Sequence, residues 1–295
     1  MSLPLHGTRE REWPGTGGPA GIIGEGKWWE IMQGKVTYVS MEDDPAIHAA
    51  YEKALGKAEG ELGQRYPLII AGREVRTEKE FEVRSPIDRD ILIGSFQLGG
   101  EGEARRAFRA AKEAFPAWSG VSPGERTRIL RRTARLLEKD LNRLAALITL
   151  EAGKNRFEAV AEVREAVDML RYHAALYEKN NGYEVPLEPE APGATGASVM
   201  KPHGAWAVIS PFNFPIDLAA GMAGAALLTG NTVVFKPTSA TPLAGLMLYR
   251  AFIAGGVPPG AINYVTGPGA PFGEVAVSSS DVDGIALTGS RDAGT

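Results

Sequence analysis

The chain has 295 residues, enough for one large α/β domain or two ordinary ones. The apolar content of 44% and charged content of 23% are typical of globular proteins, and the net charge of −4 gives no overall attraction for nucleic acid or an anionic membrane. The absence of cysteine excludes a disulfide, a thiolate metal site and a cysteine nucleophile within these residues.

No metal site is predicted, because the four histidines are scattered without metal-ligand spacing. The sequence has no apolar run of membrane-spanning length and no signal-peptide core. We therefore expect a cytoplasmic protein that binds neither nucleic acid nor membrane.

Residues 1–40 are rich in glycine and proline and show no helical or strand period, which indicates a disordered or artefactual extension. The run Gly21-Ile-Ile-Gly-Glu-Gly-Lys27 superficially fits a phosphate-binding loop. We reject this interpretation because Trp28 stands where the motif needs a hydroxyl, and no strand precedes it. Met41 opens a predicted helix over 41–63 and is a candidate for the true start codon.

Over residues 66–202, the predicted strands and helices follow one another without a regular alternation. Strands are predicted at 66–71, returning at 73–75, and at 91–98; helices are predicted at 101–117, 123–139, 140–151 and 156–180. Gly153 in the EAGKN segment (151–155) fits a helix C-cap, and 183–202 is predicted as loop and edge strand. The basic stretch from Arg126 to Arg135 is interpreted as a solvated helix face.

A βαβ pattern begins at Trp206. Strands at 206–210, 232–235, 262–265 and 284–287 alternate with helices at 216–230, 241–254 and 271–278. Strands that are apolar throughout predict a parallel, Rossmann-type sheet with helices on both faces. Such sheets bind ligands beyond the carboxyl ends of their strands. Those ends are therefore where functional residues are expected.

The first two strand ends carry Asn213 and Lys236. The neutral amide of Asn213 is a suitable donor to an oxyanion in acyl chemistry, but asparagine is also a common turn residue. Lys236 follows an apolar strand and could reach ribose hydroxyls or a phosphate, but it could equally be a solvated surface lysine. Considered separately, Asn213 is better explained as a turn residue and Lys236 as a solvated surface lysine.

The third and fourth strand ends are glycine-rich turns. The run Gly267-Pro-Gly269-Ala-Pro-Phe-Gly273 is one residue longer than the dinucleotide fingerprint and fails as one. Thr288-Gly289-Ser290 places a glycine and a hydroxyl at the start of a helix, where backbone N–H groups suit a pyrophosphate. Features of this kind at four successive strand ends together indicate a ligand site much more strongly than any one of them alone.

In this order, the motifs ISPFNFP, FKPTSATPL, GVPPGAINYVTGPG and LTGS closely resemble the aldehyde dehydrogenase superfamily. The resemblance runs from about Tyr66 to the end of the chain and includes EAGKN. Within the superfamily, YPLIIAGREV, EAGKN, REAVDMLRYHA and the phenylalanine of PFN are most similar to the 1-pyrroline-5-carboxylate (L-glutamate γ-semialdehyde) dehydrogenases of proline catabolism.

The resemblance implies roles for matching residues. Asn213 would stabilise the oxyanion of the thiohemiacetal, Lys236 would hold the adenosine ribose, and Glu165 could face the substrate tunnel. The cofactor would also be bound by Ser210, Pro211, Phe212, Ser239, Gly269, Gly273, Thr288, Gly289 and Ser290. Many NAD-preferring members carry a glutamate where this chain has Ser239. Because a serine does not repel a 2′-phosphate, we expect NAD as cofactor, with NADP also usable.

The resemblance also implies an aldehyde dehydrogenase-like α/β fold in which residues 41–295 form an incomplete NAD(P)-binding domain. This domain would include part of the bridging strands near 183–203. The family's cysteine nucleophile and glutamate base lie downstream of LTGS, so we expect the catalytic domain to be absent and this fragment to be inactive. The full-length protein is expected to be a homo-oligomer. A dehydrogenase for succinate semialdehyde or general aldehydes, and a non-catalytic nucleotide-binding remnant, remain alternatives.

Overall fold

A computed structural model describes residues 45–295. The predictions for residues 1–40, for Met41 and for the first helical turn after it lie outside the described residues. The helices are α1 Pro45–Gly60, α2 Glu101–Ser119, α3 Pro123–Lys139, α4 Leu141–Ala152, α5 Arg156–Lys179, α6 Asp217–Leu228, α7 Pro242–Gly255, α8 Gly269–Ser278 and α9 Arg291–Gly294. The strands are β1 Gln64–Tyr66, β2 Leu68–Ile70, β3 Arg73–Val75, β4 Glu80–Arg84, β5 Leu92–Gln97, β6 Glu184–Leu187, β7 Gly196–Val199, β8 Ala205–Ile209, β9 Thr232–Lys236, β10 Ile262–Tyr264 and β11 Gly284–Leu287.

The principal sheet has six strands in the order β11-β8-β9-β10-β2-β3. The four strands predicted from the βαβ pattern pair in parallel, as expected. The predicted hairpin of β2 and β3 extends this sheet in the antiparallel direction, since β2 pairs with β10 at Ile69 and Tyr264. The side chain of Asn263 on β10 accepts a hydrogen bond from the Ala71 N–H at 2.8 Å and secures the hairpin turn.

Helices cover both faces of this sheet, which confirms the predicted fold class. The strand side chains that pack with α2 and α8 on one face are Leu68, Ala205, Ala207 and Val234. Those that pack with α6, α7 and the layer of α3, α4 and α5 on the other face are Val208, Val233, Phe235, Ile262 and Tyr264. The alternation along β8 and β9 follows the two-residue period of a strand, so both faces require apolar residues.

The strand predicted over 66–71 is confirmed only at Leu68–Ile70, which form β2, because Tyr66 is the last residue of a different strand, β1. β1 pairs in parallel with β5 in a separate sheet of order β1-β5-β4, whereas β2 belongs to the principal sheet. Pro67 lies between them and has no N–H to donate, so it interrupts any ladder at the point where the chain passes from one sheet to the other. β4 was not predicted, although its sequence Glu80-Phe-Glu-Val-Arg84 alternates polar and apolar residues over five positions.

The segment 183–202, predicted as loop and edge strand, forms an isolated hairpin of β6 and β7. Every residue of its two strands is exposed, including the apolar side chains of Val185, Leu187 and Val199. None of the helices within 45–295 is long and apolar enough to cross a membrane.

The basic stretch on α3 is not wholly a solvated face, because Arg126 is buried. Its guanidinium donates to the Leu228 carbonyl at the end of α6, at 2.8 Å, and to the Tyr177 hydroxyl at 3.1 Å. It also donates to the carbonyl oxygens of Ser119 and Val121. The cation therefore satisfies carbonyl groups at a helix end, where it is favoured by the helix dipole.

Replacing this cation tests its structural role. Arg126→Met should lower the free energy of unfolding by about 3 kcal/mol, because several buried carbonyl groups lose their donor. The exposed Arg135 on the same helix provides the control, and Arg135→Met should change stability by less than about 0.5 kcal/mol. Urea unfolding of the three proteins gives the comparison; equal effects of the two substitutions would contradict a capping role for Arg126.

Candidate functional site at the carboxyl edge of the parallel strands

The carboxyl ends of the four parallel strands lie at one edge of the sheet. Ile209 at the end of β8 is in register with Lys236 on β9 and with Leu287 on β11. The ladder continues one residue further, since the Ser210 N–H donates to the Lys236 carbonyl at 3.3 Å and the Thr288 N–H donates to the Ile209 carbonyl at 3.1 Å. The predicted residues of three different motifs are therefore direct neighbours.

Lys236 is the most unusual group at this edge. It is only 5% exposed, which excludes the interpretation as a solvated surface lysine. Its ammonium donates to the carbonyl of the adjacent Pro237 at 3.2 Å, and no carboxylate among residues 45–295 forms an ion pair with it. Burial lowers the pKa of Lys236 to about 8 because the charged form is poorly solvated. A cation held this way is available to an electron-rich ligand.

Ser210 adds a second unsatisfied group next to Lys236. Its hydroxyl is buried and has no hydrogen-bond partner within the described part of the chain. Buried hydroxyls are normally paired, so an orphaned one at a strand end marks a place where a ligand can complete the bonding. Pro211 is half-buried and Phe212 is 59% exposed beside it. This combination fits the predicted cofactor channel.

Asn213 lies in the exposed loop between β8 and α6. The loop is fixed at its far end by two residues that the sequence analysis did not single out. Glu162 on α5, fully buried, accepts from the Ile216 N–H at 2.8 Å and pairs with Lys154 at 2.7 Å. The Lys154 ammonium also lies 3.6 Å from the centre of the Phe214 ring, next to Asn213. The lysine of EAGKN was the available signal for this contact.

Burial raises the pKa of the Glu162 carboxyl, and the Lys154 ammonium opposes that rise. The carboxylate also accepts from the backbone N–H of Asp217, the first residue of α6. It therefore acts at the beginning of this helix, where the dipole favours negative charge. The buried ion pair joins α5 to the loop that carries Asn213.

Ser239 lies between Lys236 and α7 and is half-buried. Its hydroxyl donates to the Gly267 carbonyl at 3.0 Å, so the loop after β9 is joined to the turn after β10. The beginning of α7 is held by Glu151, whose carboxylate accepts from the N–H groups of Leu243 and Ala244, both at 2.7 Å. Burial raises the pKa of Glu151 to about 8, although these two bonds act in the opposite direction.

The glycines after β10 have different roles. Gly267 has φ +140°, and a Cβ there would lie 2.2 Å from the Gly99 carbonyl oxygen, so the backbone itself requires glycine. At Gly269 and Gly273, by contrast, an added Cβ would meet no atom within 4 Å. These two positions on α8 border open space, and their contact with a cofactor stays a prediction.

The turn after β11 places Ser290 at the N-cap of α9, where its hydroxyl accepts from the Ala293 N–H at 3.3 Å. Thr288 is half-buried, with its hydroxyl 3.5 Å from the Met222 sulfur, and Gly289 is exposed. The described part of α9 comprises four residues, Arg291–Gly294. The proposed contact of Ser290 with a pyrophosphate stays a prediction.

Glu165 lies one turn beyond Glu162 on α5 and is half-buried. A Cβ added at Gly221 of α6 would lie 3.3 Å from Met169, four residues further along α5, so Glu165 shares the side of α5 from which Met169 approaches α6. Its role toward a substrate stays a prediction. Residues 45–295 contain no group of three or more His, Cys, Asp or Glu side chains that could hold a metal ion.

Comparison with known proteins identifies clear relatives. A model of the aldehyde dehydrogenase family matches residues 73–295. The 1-pyrroline-5-carboxylate dehydrogenase 1 of Halalkalibacterium halodurans is 39% identical over 250 residues, which cover 84% of this chain and 48% of the relative. The chain spans about half the length of the curated relatives it matches.

Solved structures show the same relationship. A 1-pyrroline-5-carboxylate dehydrogenase from Thermus with bound NAD superposes with a TM-score of 0.78 at 32% identity, over 84% of this chain and 48% of that one. An NADP-dependent enzyme from E. coli superposes with a TM-score of 0.73 at 33% identity, over 78% of this chain and 48% of that one.

The unpaired cation of Lys236 should cost stability, and the cost should depend on pH. A folded pKa of about 8, below the ordinary 10.5, means that the unfolded state binds more protons between these values. Near pH 7, Lys236→Met should therefore raise the free energy of unfolding by about 2 kcal/mol, after subtraction of the lost hydrogen bond. As pH rises through this window, the advantage should disappear.

Urea unfolding near pH 7 and near pH 10 measures this effect. The exposed Lys179 at the end of α5 provides the control, and Lys179→Met should have nearly the same small effect at both pH values. A Lys236→Met protein that is less stable than the wild type near pH 7 would contradict the assignment of an uncompensated buried ammonium.

Proposed function

Because this chain belongs to the aldehyde dehydrogenase family, we propose that residues 41–295 are an NAD(P)-binding domain of an enzyme that oxidises L-glutamate γ-semialdehyde, formed from 1-pyrroline-5-carboxylate, to glutamate. The observation that carries the proposal is the common edge at which Ser210, Lys236 and Thr288 are neighbours. The names of the relatives support the substrate, and the bound NAD of the Thermus structure supports the cofactor.

The residues at this edge fit a dinucleotide. The Lys236 ammonium and the orphaned Ser210 hydroxyl supply hydrogen-bonding groups that ribose hydroxyls can satisfy. Gly269 and Gly273 present no Cβ to the open space on α8. When bound, NAD(P)⁺ supplies the hydride acceptor. The chain's own contribution is to orient the cofactor against the loop between β8 and α6.

Asn213 would act on the substrate. Its amide is a neutral donor, so it can stabilise the negative oxygen that develops when a nucleophile attacks an aldehyde. The nucleophile of this chemistry is a thiolate, and these 295 residues contain no cysteine. The proposed activity therefore needs a thiol from outside them. Glu165 on α5 is the proposed contact for the substrate.

The whole protein has a proposed location and oligomeric state. We expect it to be a cytoplasmic homo-oligomer that does not act on nucleic acid or membranes. The exposed apolar side chains of the β6–β7 hairpin are consistent with a protein–protein contact. Sedimentation of the purified protein tests the oligomer directly: a monomer at all concentrations would contradict it.

The activity is tested by oxidation of 1-pyrroline-5-carboxylate with NAD⁺ by the protein produced from the whole reading frame. Asn213→Ala should lower kcat by about 100-fold or more with little change in KM for the cofactor, because the amide acts in the transition state. Asn142→Ala, at the start of α4, is the control. Preferential oxidation of succinate semialdehyde would favour another dehydrogenase, and NAD⁺ binding without turnover would favour a non-catalytic protein.

Ser239 provides a test of cofactor choice. A carboxylate at this position would repel a 2′-phosphate, so Ser239→Glu should weaken NADP⁺ binding by about 10-fold or more while NAD⁺ binding is retained. Ser239→Ala controls for loss of the hydrogen bond to the Gly267 carbonyl. Calorimetric titration with both cofactors measures the effect. If the wild-type protein does not bind NADP⁺ at all, the prediction that both cofactors are usable is wrong.

A further inference from the structure

We propose that the EAGKN segment, residues 151–155, is a positioning element that fixes two loops of the site relative to each other. Glu151 would hold the loop 237–241 after Lys236, and Lys154 with Glu162 would hold the loop 210–215 that carries Asn213. This inference rests on the proposed function for the meaning of the two loops, but its contacts are independent of any ligand.

The contact with the first loop replaces an ordinary helix cap. Thr241 is the N-cap residue of α7, yet its side chain makes no capping bond and its buried hydroxyl has no partner among the described residues. The N–H groups of Leu243 and Ala244, which an N-cap side chain would normally satisfy, are bound instead by Glu151 from α4. The position of α7, and so the end of the loop, depends on Glu151.

The same end of α7 is restrained from the sheet. The Tyr264 hydroxyl on β10 donates to the Pro242 carbonyl at 2.7 Å, and both groups are buried. Loop 237–241 therefore begins at the carboxyl end of β9 and ends at a helix start that is held on two sides. Such a short loop has little freedom once both ends are fixed, which explains how Lys236 and Ser239 can be preorganised without a ligand.

The contact with the second loop is made by a buried ion pair. Glu162 is fully buried and Lys154 is 12% exposed, so neither charge is well solvated. The carboxylate binds the Ile216 N–H and the ammonium lies over the Phe214 ring, which restrains the loop immediately after Asn213. Breaking a buried pair by removal of one partner is strongly unfavourable, because the other charge is left unpaired.

One rigid turn connects the two contacts. Glu151 belongs to the last turn of α4, and Gly153 ends that helix in the left-handed conformation with φ +75°. Asn155 then caps α5 by accepting from the Glu158 N–H at 3.0 Å. Because both flanking helices are capped within five residues, the turn holds the two anchoring side chains at a fixed separation, and each anchor restrains its own loop. Reaction geometry is sensitive to shifts of about 1 Å between reacting groups, so this linkage matters for the proposed chemistry.

The test is amide hydrogen exchange of the 295-residue chain, read separately for the two loops. Lys154→Met should accelerate exchange by about 10-fold at 213–217 and by less than about 2-fold at 238–244, and Glu151→Gln should do the reverse. Lys154→Arg should restore slow exchange at 213–217, because the guanidinium keeps the charge and can stack on Phe214. Lys179→Met is the control. Should Glu151→Gln fail to fold, Glu151→Asp provides the shortened carboxylate.

If the EAGKN segment contributed only to general stability, the substitutions would accelerate exchange throughout the chain. That result, or unchanged exchange rates in both loops, would overturn the inference. Titration with ADP-ribose separates it from the proposed function. Glu151→Gln should weaken ADP-ribose binding by about 10-fold relative to the wild type, since the loop carrying Ser239 is released. Unchanged affinity would also count against positioning. If the wild-type chain itself does not bind ADP-ribose, the proposed function fails, while the exchange results still decide the inference.

Discussion

The parallel ladder of β11, β8, β9 and β10 is the constraint on which the rest of the structure depends. Parallel pairing directs all four carboxyl ends to one edge, and the register places Ser210, Lys236 and Thr288 side by side. Parallel strands require crossover helices, which then cover both faces and make every strand apolar. The strand ends are where polar side chains can meet solvent or a ligand, so the fold concentrates the candidate functional groups there.

Three buried ionisable side chains oppose the stability of this fold. Burial shifts the pKa of Lys236 downward and those of Glu151 and Glu162 upward, so each group is disfavoured in its charged form. The two carboxylates are compensated by backbone N–H groups and, for Glu162, by Lys154. Among residues 45–295, the only hydrogen-bond partner of the Lys236 ammonium is the Pro237 carbonyl. This difference separates the two carboxylates, which hold the starts of α7 and α6, from Lys236, the proposed cofactor contact.

Periodicity and turn residues predicted most of the architecture, because regular local patterns decide the type of each element. The four parallel strands, their helices and the glycine cap at Gly153 were all predicted. The division of one apolar run at Pro67 and the burial of Arg126 were not, since both depend on residues distant in sequence. The positions at the strand ends were predictable because they follow from the local strand pattern. The Glu162–Lys154 pair was not, because tertiary packing brings it together.

The most direct test of the account is the map of backbone amide shifts when NAD⁺ is added to isotopically labelled chain. The account predicts that shifts concentrate at the carboxyl ends of the parallel strands, at 210–213, 236–239 and 288–291. The amino ends of the same strands, at 204–205, 231–232 and 283–284, should be unaffected, because they lie at the opposite edge of the sheet. Shifts confined to the amino ends, or no shifts at saturating NAD⁺, would contradict a cofactor site on this fold.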